Sequence, residues 1–287
     1  MQTSNKIFFN FFSKTARFFI FLIMALKVEL VTPHIGASVT GVDLHSENRA
    51  EIIQKIRKNL DRYKVLIFHN QQLSPKSLRQ FTSNFGPLFF HHVDDGVEHS
   101  VDAPEVLILR KDPNGNTLFG GACWHSDVTF QKPAGYITIL HAKKIPPVGG
   151  DTLFSSTIAA FENLSFSMQS FLRSLEALHS YAGPANPDIE GLTAVHPVIR
   201  RDLITGKEGI YVNEMFTKKI IGMSDIESQI LIQFLIRHII RPEFVFRHRW
   251  KVGDVLMWDN RFTQHYPIND FTGYERLMIR CSTLELS

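Results

Sequence analysis

A histidine followed two residues later by a carboxylate can hold a metal ion, because alternate side chains of a β-strand project from the same face. The chain contains three such triplets, which begin at His45, His92 and His125. His45 lies where we expect a helix to begin, so Glu47 is better explained as a first-turn carboxylate that interacts with the helix dipole. His92 lies in the polar stretch 91–96, which is typical of a solvated loop.

The third triplet, His125-Ser126-Asp127, interrupts the β-prone run 124–130. A partly buried strand face tolerates an ionisable pair only when its charge is compensated, and a bound cation would do so. We therefore predict that His125 and Asp127 are metal ligands. A third ligand must come from a distant strand, and the best candidate is His265, although a histidine there is also explained as an ordinary structural residue.

Two histidines and one carboxylate leave adjacent positions on Fe(II) open for oxygen and a chelating cosubstrate, whereas a zinc hydrolase leaves one water site. A cosubstrate such as 2-oxoglutarate carries a second carboxylate, which arginine binds in a fixed bidentate geometry. Arg276 and Arg280 lie four residues apart on a predicted strand and therefore on one face. One could hold the cosubstrate and the other an anionic substrate; the alternative is a solvated, exposed face.

Short strands punctuated by turns must position these residues, with a few helices between them. This pattern favours a mainly β fold with flanking helices around a jelly-roll core, because a doubly wound parallel sheet would alternate strands and helices more regularly. The predicted strands cover 65–68, 105–109, 123–130, 136–142, 152–155, 196–200, 210–213, 244–250, 255–258 and 276–284. The predicted helices begin at a Ser46 cap and end near Tyr63, begin at Ser74-Pro75 and end before Gly86-Pro87, and cover about 165–177 and 224–238.

Composition places the chain among folded proteins and excludes several classes. It has 287 residues, 44% of them apolar, and 31 Lys and Arg against 28 Asp and Glu. The net charge of +3 offers no basic excess for neutralising nucleic-acid phosphates. The two cysteines, Cys123 and Cys281, exclude a disulfide scaffold and a CxxC zinc site and fit a reducing compartment. We expect a cytoplasmic protein that does not bind nucleic acid.

The segment 1–26 differs from the rest of the chain, since it holds seven of the 24 phenylalanines, three cations and no acid. Its apolar run, 18–26, is too short for the roughly 20 residues that span a bilayer, so we expect no stable membrane span. We interpret it as a doubtful N-terminal extension, with Met24 as an alternative start, before one domain at 27–287. A signal peptide or a membrane anchor is the alternative interpretation.

Several motifs occur together in an order and spacing that resemble a known family. They are Trp124–Phe130, Val148–Thr152, Val212–Thr217 and Trp258–His265, followed by Arg276 and Arg280. From about Lys27 to Leu284 the chain resembles the taurine dioxygenase (TauD/TfdA-like) family of Fe(II)- and 2-oxoglutarate-dependent dioxygenases. The resemblance implies a double-stranded β-helix, a cupin-like jelly-roll core.

The resemblance also implies roles for individual residues. Iron would be held by His125, Asp127 and His265, and 2-oxoglutarate by Thr152 and Arg276. Arg280 matches the family arginine near the acid group of the substrate and the keto-acid end of the cosubstrate. The expected reaction hydroxylates the substrate with O2 and releases succinate and CO2.

The substrate pocket matches the taurine dioxygenase pattern only in part. His91 matches the histidine that meets the sulfonate, and Val128 and Phe216 match pocket-lining positions. Asp94 replaces a tyrosine and would meet a substrate amine if it points inward; the other two departures are Gly121 for an asparagine and Ala185 for a phenylalanine.

We expect a small anionic organic substrate, first taurine or another sulfonate. The alternatives are a sulfate ester, a carboxylic acid of the aryloxyalkanoate type, or a non-catalytic cupin-like protein that binds a metal or ligand. We expect a homo-oligomer, either a dimer or a tetramer.

Overall fold

Two facing sheets form the core of the molecule, whose computed structural model describes residues 26–46, 49–91, 98–115, 123–181 and 192–286. The larger sheet is mostly antiparallel, with strand order β1-β2-β3-β14-β6-β16-β5-β4, and the facing sheet has the order β13-β7-β15. Smaller sheets, β12-β8-β9 and β10-β11, lie beside them. The strands are β1 Lys27–Leu30, β2 Ala37–Thr40, β3 Val65–Phe68, β4 Glu98–Ser100, β5 Ala103–Lys111, β6 Gly135–Lys144, β7 Thr152–Ser156, β8 Glu176–Ser180, β9 Thr193–Pro197, β10 Ile199–Arg201, β11 Glu208–Ile210, β12 Thr217–Ile220, β13 Val245–His248, β14 Val255–Asp259, β15 Thr263–Pro267 and β16 Arg276–Leu284.

Apolar side chains from both sheets fill the space between them, as the alternation of a double-sheet fold requires. Phe154 and Phe246 of the smaller sheet pack in one buried cluster with Leu140, Trp258 and Met278 of the larger sheet. A second cluster lies between the other face of the larger sheet and the first two helices. The predicted jelly-roll with flanking helices is therefore confirmed.

The helices cover the outside of the sheets, and their serine caps explain most of their starting points. The second and the last helix begin beside Ser74 and Ser224, as the sequence predicted, and each of these serines forms a complete capping box. The helices are α1 Ala50–Tyr63, α2 Pro75–Thr82, α3 Thr157–Glu162, α4 Phe166–Leu172 and α5 Asp225–Ile239, with a 3-10 turn at Pro242–Phe244.

Two predicted helices differ from the structure. Ser46 does not cap α1, because its hydroxyl bonds to the Asp43 carboxylate at 3.4 Å and the helix begins at Ala50. The helix predicted to reach Ala177 ends at Leu172, because Ala177 is already paired in β8 with both neighbouring strands. Tertiary pairing overrides the local apolar pattern there.

The run 123–130 is not the regular strand that the sequence predicts. His125 forms only an isolated antiparallel bridge with His265, and the residues from Asp127 to Phe130 form turns. Val128 has a positive φ of 55°, which is rare for a β-branched residue and ends the extended run. The same-face argument for His125 and Asp127 was therefore wrong in its geometry.

Several positions from the sequence analysis lie outside the described residues, namely 1–25 with the alternative start Met24, and Glu47, Asp94, Gly121 and Ala185. Within the described ranges, no helix is long and apolar enough to cross a membrane.

Candidate metal centre

The structure brings the three predicted metal ligands together. Oδ1 of Asp127 lies 3.7 Å from Nε2 of His125 and 3.8 Å from Nε2 of His265. The possible ligand atoms of all three residues lie within 4.8 Å of one another, and all three side chains are buried. One ion at the centre of this triangle would be within reach of each residue.

Main-chain pairing fixes the two histidines relative to each other. The amide of His125 donates to the carbonyl of His265 at 3.1 Å, and the amide of His265 donates to the carbonyl of His125 at 2.8 Å. His265 is held from its other side in β15, where it pairs with Phe154 of β7. The centroids of the two imidazole rings consequently lie 4.1 Å apart.

The environment keeps both imidazoles neutral, as metal binding requires. Burial lowers the pKa of His125, against the opposing effect of Asp127, and burial together with His125 lowers the pKa of His265 well below its ordinary value. Nδ1 of His125 lies 3.0 Å from the carbonyl of Cys123, so that this nitrogen donates. Nε2 of His125 then carries the lone pair that faces the triangle.

Asp127 is held as the carboxylate. Burial alone would raise its pKa, but Arg280, His265, His125 and a hydrogen bond from Thr138 together lower the pKa well below the ordinary value. Nη2 of Arg280 lies 2.8 Å from Oδ1, and the Thr138 hydroxyl donates to Oδ2 at 2.7 Å. Sequence reasoning missed Thr138, because a threonine in a strand carries no signal of its contact.

The donor set fits Fe(II). Two neutral imidazole nitrogens and one carboxylate oxygen are the ligands of a non-haem iron oxygenase centre and leave coordination positions for other ligands. Nε of Arg280 is buried and makes no hydrogen bond to any described residue, although its neighbour Nη2 contacts Asp127. A buried guanidinium nitrogen beside the triad suits an anionic ligand.

The two residues expected to hold 2-oxoglutarate lie on facing sheets. Thr152 is buried in β7, and its hydroxyl accepts a hydrogen bond from Nε1 of Trp250 at 2.9 Å. Arg276 begins β16 and is only 1% exposed. Burial lowers the pKa of Arg276 to about 10, against the charge of Asp151, so the side chain is still a cation near neutral pH. A buried cation in the core suits a carboxylate ligand.

An apolar wall adjoins the triad and contains two of the predicted substrate residues. Val128 and Phe216 are buried in one cluster with Phe89 and Phe130. The ring of Phe216 lies 6.4 Å from the ring of His125. His91 packs edge-on against Phe89, with ring centroids 4.5 Å apart, which places it at the border of this wall.

Comparison with known proteins gives the same class as the site. The family model described as "Taurine catabolism dioxygenase TauD, TfdA family" matches residues 27–282. An alkylsulfatase of Acinetobacter baylyi is 34% identical over 273 residues, which cover 89% of this chain and 84% of that protein. An alpha-ketoglutarate-dependent sulfate ester dioxygenase of Pseudomonas putida is 32% identical over 276 residues, covering 90% of this chain and 89% of that protein.

A solved taurine dioxygenase structure from Burkholderia xenovorans superimposes with a TM-score of 0.81 at 32% identity and covers 91% of this chain and 90% of that chain. The chain belongs to the TauD/TfdA family of dioxygenases. It is a 2-oxoglutarate-dependent dioxygenase with Fe(II) as its metal and 2-oxoglutarate and O2 as cosubstrates, which confirms these predictions.

Proposed function

We propose that the enzyme hydroxylates a small organic anion, in the first place a sulfonate such as taurine, whose acid group binds at Arg280 and whose carbon atoms lie against the Phe216 wall. The observation that carries this proposal is the position of Arg280. Its guanidinium joins the triad at 2.8 Å from Asp127 and has a second buried nitrogen available for an anion.

In the proposed mechanism, the bound iron and 2-oxoglutarate supply the oxidation, and the residues of the chain bind and orient the reactants. Iron and 2-oxoglutarate, when bound, supply the oxidation that adds one oxygen atom of O2 to a substrate C–H bond and releases succinate and CO2. His125, Asp127 and His265 hold the metal. Thr152 and Arg276 bind and orient 2-oxoglutarate. Arg280 orients the anionic end of the substrate, because a charge-assisted pair fixes direction as well as position.

The apolar wall limits the chemistry of the rest of the substrate. The side chains of Val128, Phe89, Phe130 and Phe216 form this apolar cluster, and the Phe216 ring lies 6.4 Å from the ring of His125, so the substrate carbon that reacts would lie beside an apolar surface. His91 at the edge of the wall is proposed as a second contact to the acid group. Asp94, the proposed partner of a substrate amine, lies outside the described residues.

The reported relatives support an anionic sulfur substrate. One acts, by its name, on alkyl sulfates, a second on sulfate esters, and the similar solved structure is a taurine dioxygenase. All three names describe substrates with a fully ionised sulfur oxyanion, whose charged oxygens can accept charge-assisted hydrogen bonds from a guanidinium.

A titration without oxygen tests the metal and cosubstrate sites. Adding Fe(II) and 2-oxoglutarate to the metal-free protein should produce a weak visible charge-transfer band, and His125→Ala should abolish it, because one of three metal ligands is lost. Arg110→Ala, at an exposed arginine on β5, is the control and should keep the band. A folded wild-type protein without the band would refute the oxygenase function and favour a non-catalytic cupin-like protein.

A substrate panel tests the acid group. Sulfonates, sulfate esters, aryloxy acids and amino acids are compared for succinate release, with sulfite release marking sulfonates and sulfate release marking sulfate esters. Arg280→Ala should lower kcat/KM for the preferred anion by about 10- to 100-fold while sparing the fold, because a hydrogen-bonded charge partner is removed. Unchanged kinetics would refute the role of Arg280.

We also propose a cytoplasmic homo-oligomer, a dimer or a tetramer. Cys123 and Cys281 are both free thiols, which suits a reducing compartment. Ile226, Ile230 and Phe234 lie four residues apart on the exposed face of α5, which supports self-association through an apolar face. Sedimentation of Ile230→Glu against wild type tests the oligomer: a wild-type monomer would refute it.

A further inference from the structure

Asn260, directly after β14, uses its buried side chain entirely on the metal centre and its supports. The residue is 1% exposed. Its Oδ1 accepts from the main-chain amide of Asp127 at 3.0 Å and from Nε1 of Trp258 at 3.0 Å, and its Nδ2 donates to the Thr138 hydroxyl at 2.9 Å. A turn at the surface does not require these three hydrogen bonds. They indicate instead that the Asn260 side chain supports the metal centre.

Thr138 completes a closed ring of hydrogen bonds around Asp127. Its hydroxyl accepts from Asn260 and donates to Oδ2 of Asp127 at 2.7 Å. Because an ionised carboxylate only accepts hydrogen bonds, the single hydroxyl proton of Thr138 must point to Asp127, and Asn260 donates to the hydroxyl oxygen. Oδ2 is thereby held toward Thr138, and Oδ1, which also lies 2.8 Å from Nη2 of Arg280, is the oxygen that faces the two histidines at 3.7 and 3.8 Å.

Asn260 is also linked to the second histidine of the site, His265, through Trp258. Trp258, which donates to Asn260, lies against His265 with ring centroids 4.9 Å apart. The Phe154 ring is stacked against the His265 ring from another side, with ring centroids 6.1 Å apart. The indole therefore cannot tilt without moving either the hydrogen bond to Asn260 or the ring of His265.

We propose that Asn260 and Thr138 are positioning residues for the metal centre: they set which oxygen of Asp127 faces the ion and, through Trp258, the plane of the His265 ring. This proposal rests on the proposed metal site and extends it to residues that would not touch the metal. Partners of metal ligands tune affinity strongly, typically by 10- to 100-fold when removed.

The test compares three variants of the full-length, metal-free protein. Thr138→Val removes the hydroxyl while keeping the shape, and Thr138→Ser restores it. Ser282→Ala is the matched control, because the Ser282 hydroxyl is buried, lies 3.1 Å from that of Thr138 and, among the described side chains, makes no hydrogen bond with Asp127. Calorimetry with Co(II), its visible absorption spectrum and the thermal midpoint are measured for each protein.

We expect Thr138→Val to weaken Co(II) binding by about 10-fold or more and to change the spectrum, since Oδ2 of the carboxylate loses its hydrogen bond. Thr138→Ser and Ser282→Ala should bind Co(II) within about twofold of wild type. If Thr138→Val loses thermal stability but keeps the wild-type affinity and spectrum, Thr138 only supports the fold and the proposal fails.

Asn260→Leu provides a second arm, with Asn260→Asp as its partner. The aspartate keeps an oxygen that accepts from the Asp127 amide and from Trp258, so it should retain more Co(II) affinity than the leucine. Equal affinities at the wild-type level in both variants would overturn the proposal. A wild-type protein that binds no Co(II) would instead overturn the metal site itself, which separates the two failures.

Discussion

Lys64 is a single residue on which several parts of the fold depend. It is 2% exposed and has a left-handed backbone with φ of 63° after α1. Its ammonium lies 2.6 Å from Asp202 and 3.3 Å from Asp259. Burial opposes ionisation of Asp202, but the hydrogen bond and charge of Lys64 lower the pKa of Asp202 to about 2. One cation therefore holds a helix end, a strand end and a loop together.

Lys64→Met should lower the free energy of unfolding by about 3 to 5 kcal/mol, because two buried carboxylates lose a shared partner. Urea unfolding at neutral pH measures this change. Lys55→Met is the control, since the pair of Lys55 with Glu51 is exposed and surface ion pairs add little to stability. A loss no larger than the control's would show that Asp202 and Asp259 find other partners.

At the residue scale, the sequence alone predicts the ligand types but not their supports. His125, Asp127 and His265 are found because their chemistry and spacing are distinctive. Thr138 gives no such signal, and Asn260 can be interpreted from the sequence only as a turn residue or a residue beside the site. Their contacts with Asp127 depend on how β6 and β14 pair, and a threonine or an asparagine has ordinary uses in strands and turns. Pairing register is a property of the folded chain.

At the element scale, the turn after Asp127 depends on the missing side chain of Gly135. A Cβ atom on Gly135 would overlap the Asp127 carbonyl oxygen and would lie 3.1 Å from Cβ of Val128. The amide of Gly135 also donates to the Val128 carbonyl at 3.1 Å. The start of β6 is therefore packed directly against the main chain of Asp127, a predicted metal ligand.

Gly135→Ala should weaken Co(II) binding by about 10-fold or more and cost about 1 to 3 kcal/mol of stability, because the Asp127 turn must move. Gly222→Ala is the matched control: its φ of 81° carries a backbone cost, but no atom lies within 4 Å of the added Cβ. Calorimetry and urea unfolding of both variants measure the two effects. Equal losses of affinity would contradict a local effect at Gly135.

The same turn explains where sequence prediction failed at this scale. The run from Trp124 to Phe130 has the composition of a strand, but Val128 adopts a conformation that its side chain disfavours, and the turn is imposed by contacts with Gly135 and Asn260. Buried strands such as β14 and β6 do not depend on such contacts, and their apolar runs alone predict them.

At the scale of the whole molecule, buried histidines make stability depend on pH. His141, His179 and His196 are all buried. Burial lowers the pKa of His179 to about 3 and the pKa values of His141 and His196 to about 4. The unfolded chain takes up these protons below about pH 6.5, whereas the folded chain does not. Protons therefore favour unfolding between about pH 6.5 and 4.

We expect the metal-free protein to lose about 2 kcal/mol of stability per buried histidine between pH 7 and pH 5, at about 1.4 kcal/mol per pH unit below 6.5. His196→Gln keeps a donor for the Thr129 carbonyl and should remove about one histidine's share of this loss. Urea unfolding at the two pH values measures it. The exposed His45, changed to glutamine, is the control, and an identical pH dependence in both variants would refute the assignment.

The paired amides of His125 and His265 also constrain when iron can enter the protein. The two histidines are separated by almost half of the chain, and Arg280 follows the second of them. A growing polypeptide on the ribosome lacks the full ligand set until His265 has been made. The metal centre can therefore form only after that point, and an ion that binds only the native state then adds its binding free energy to that state alone.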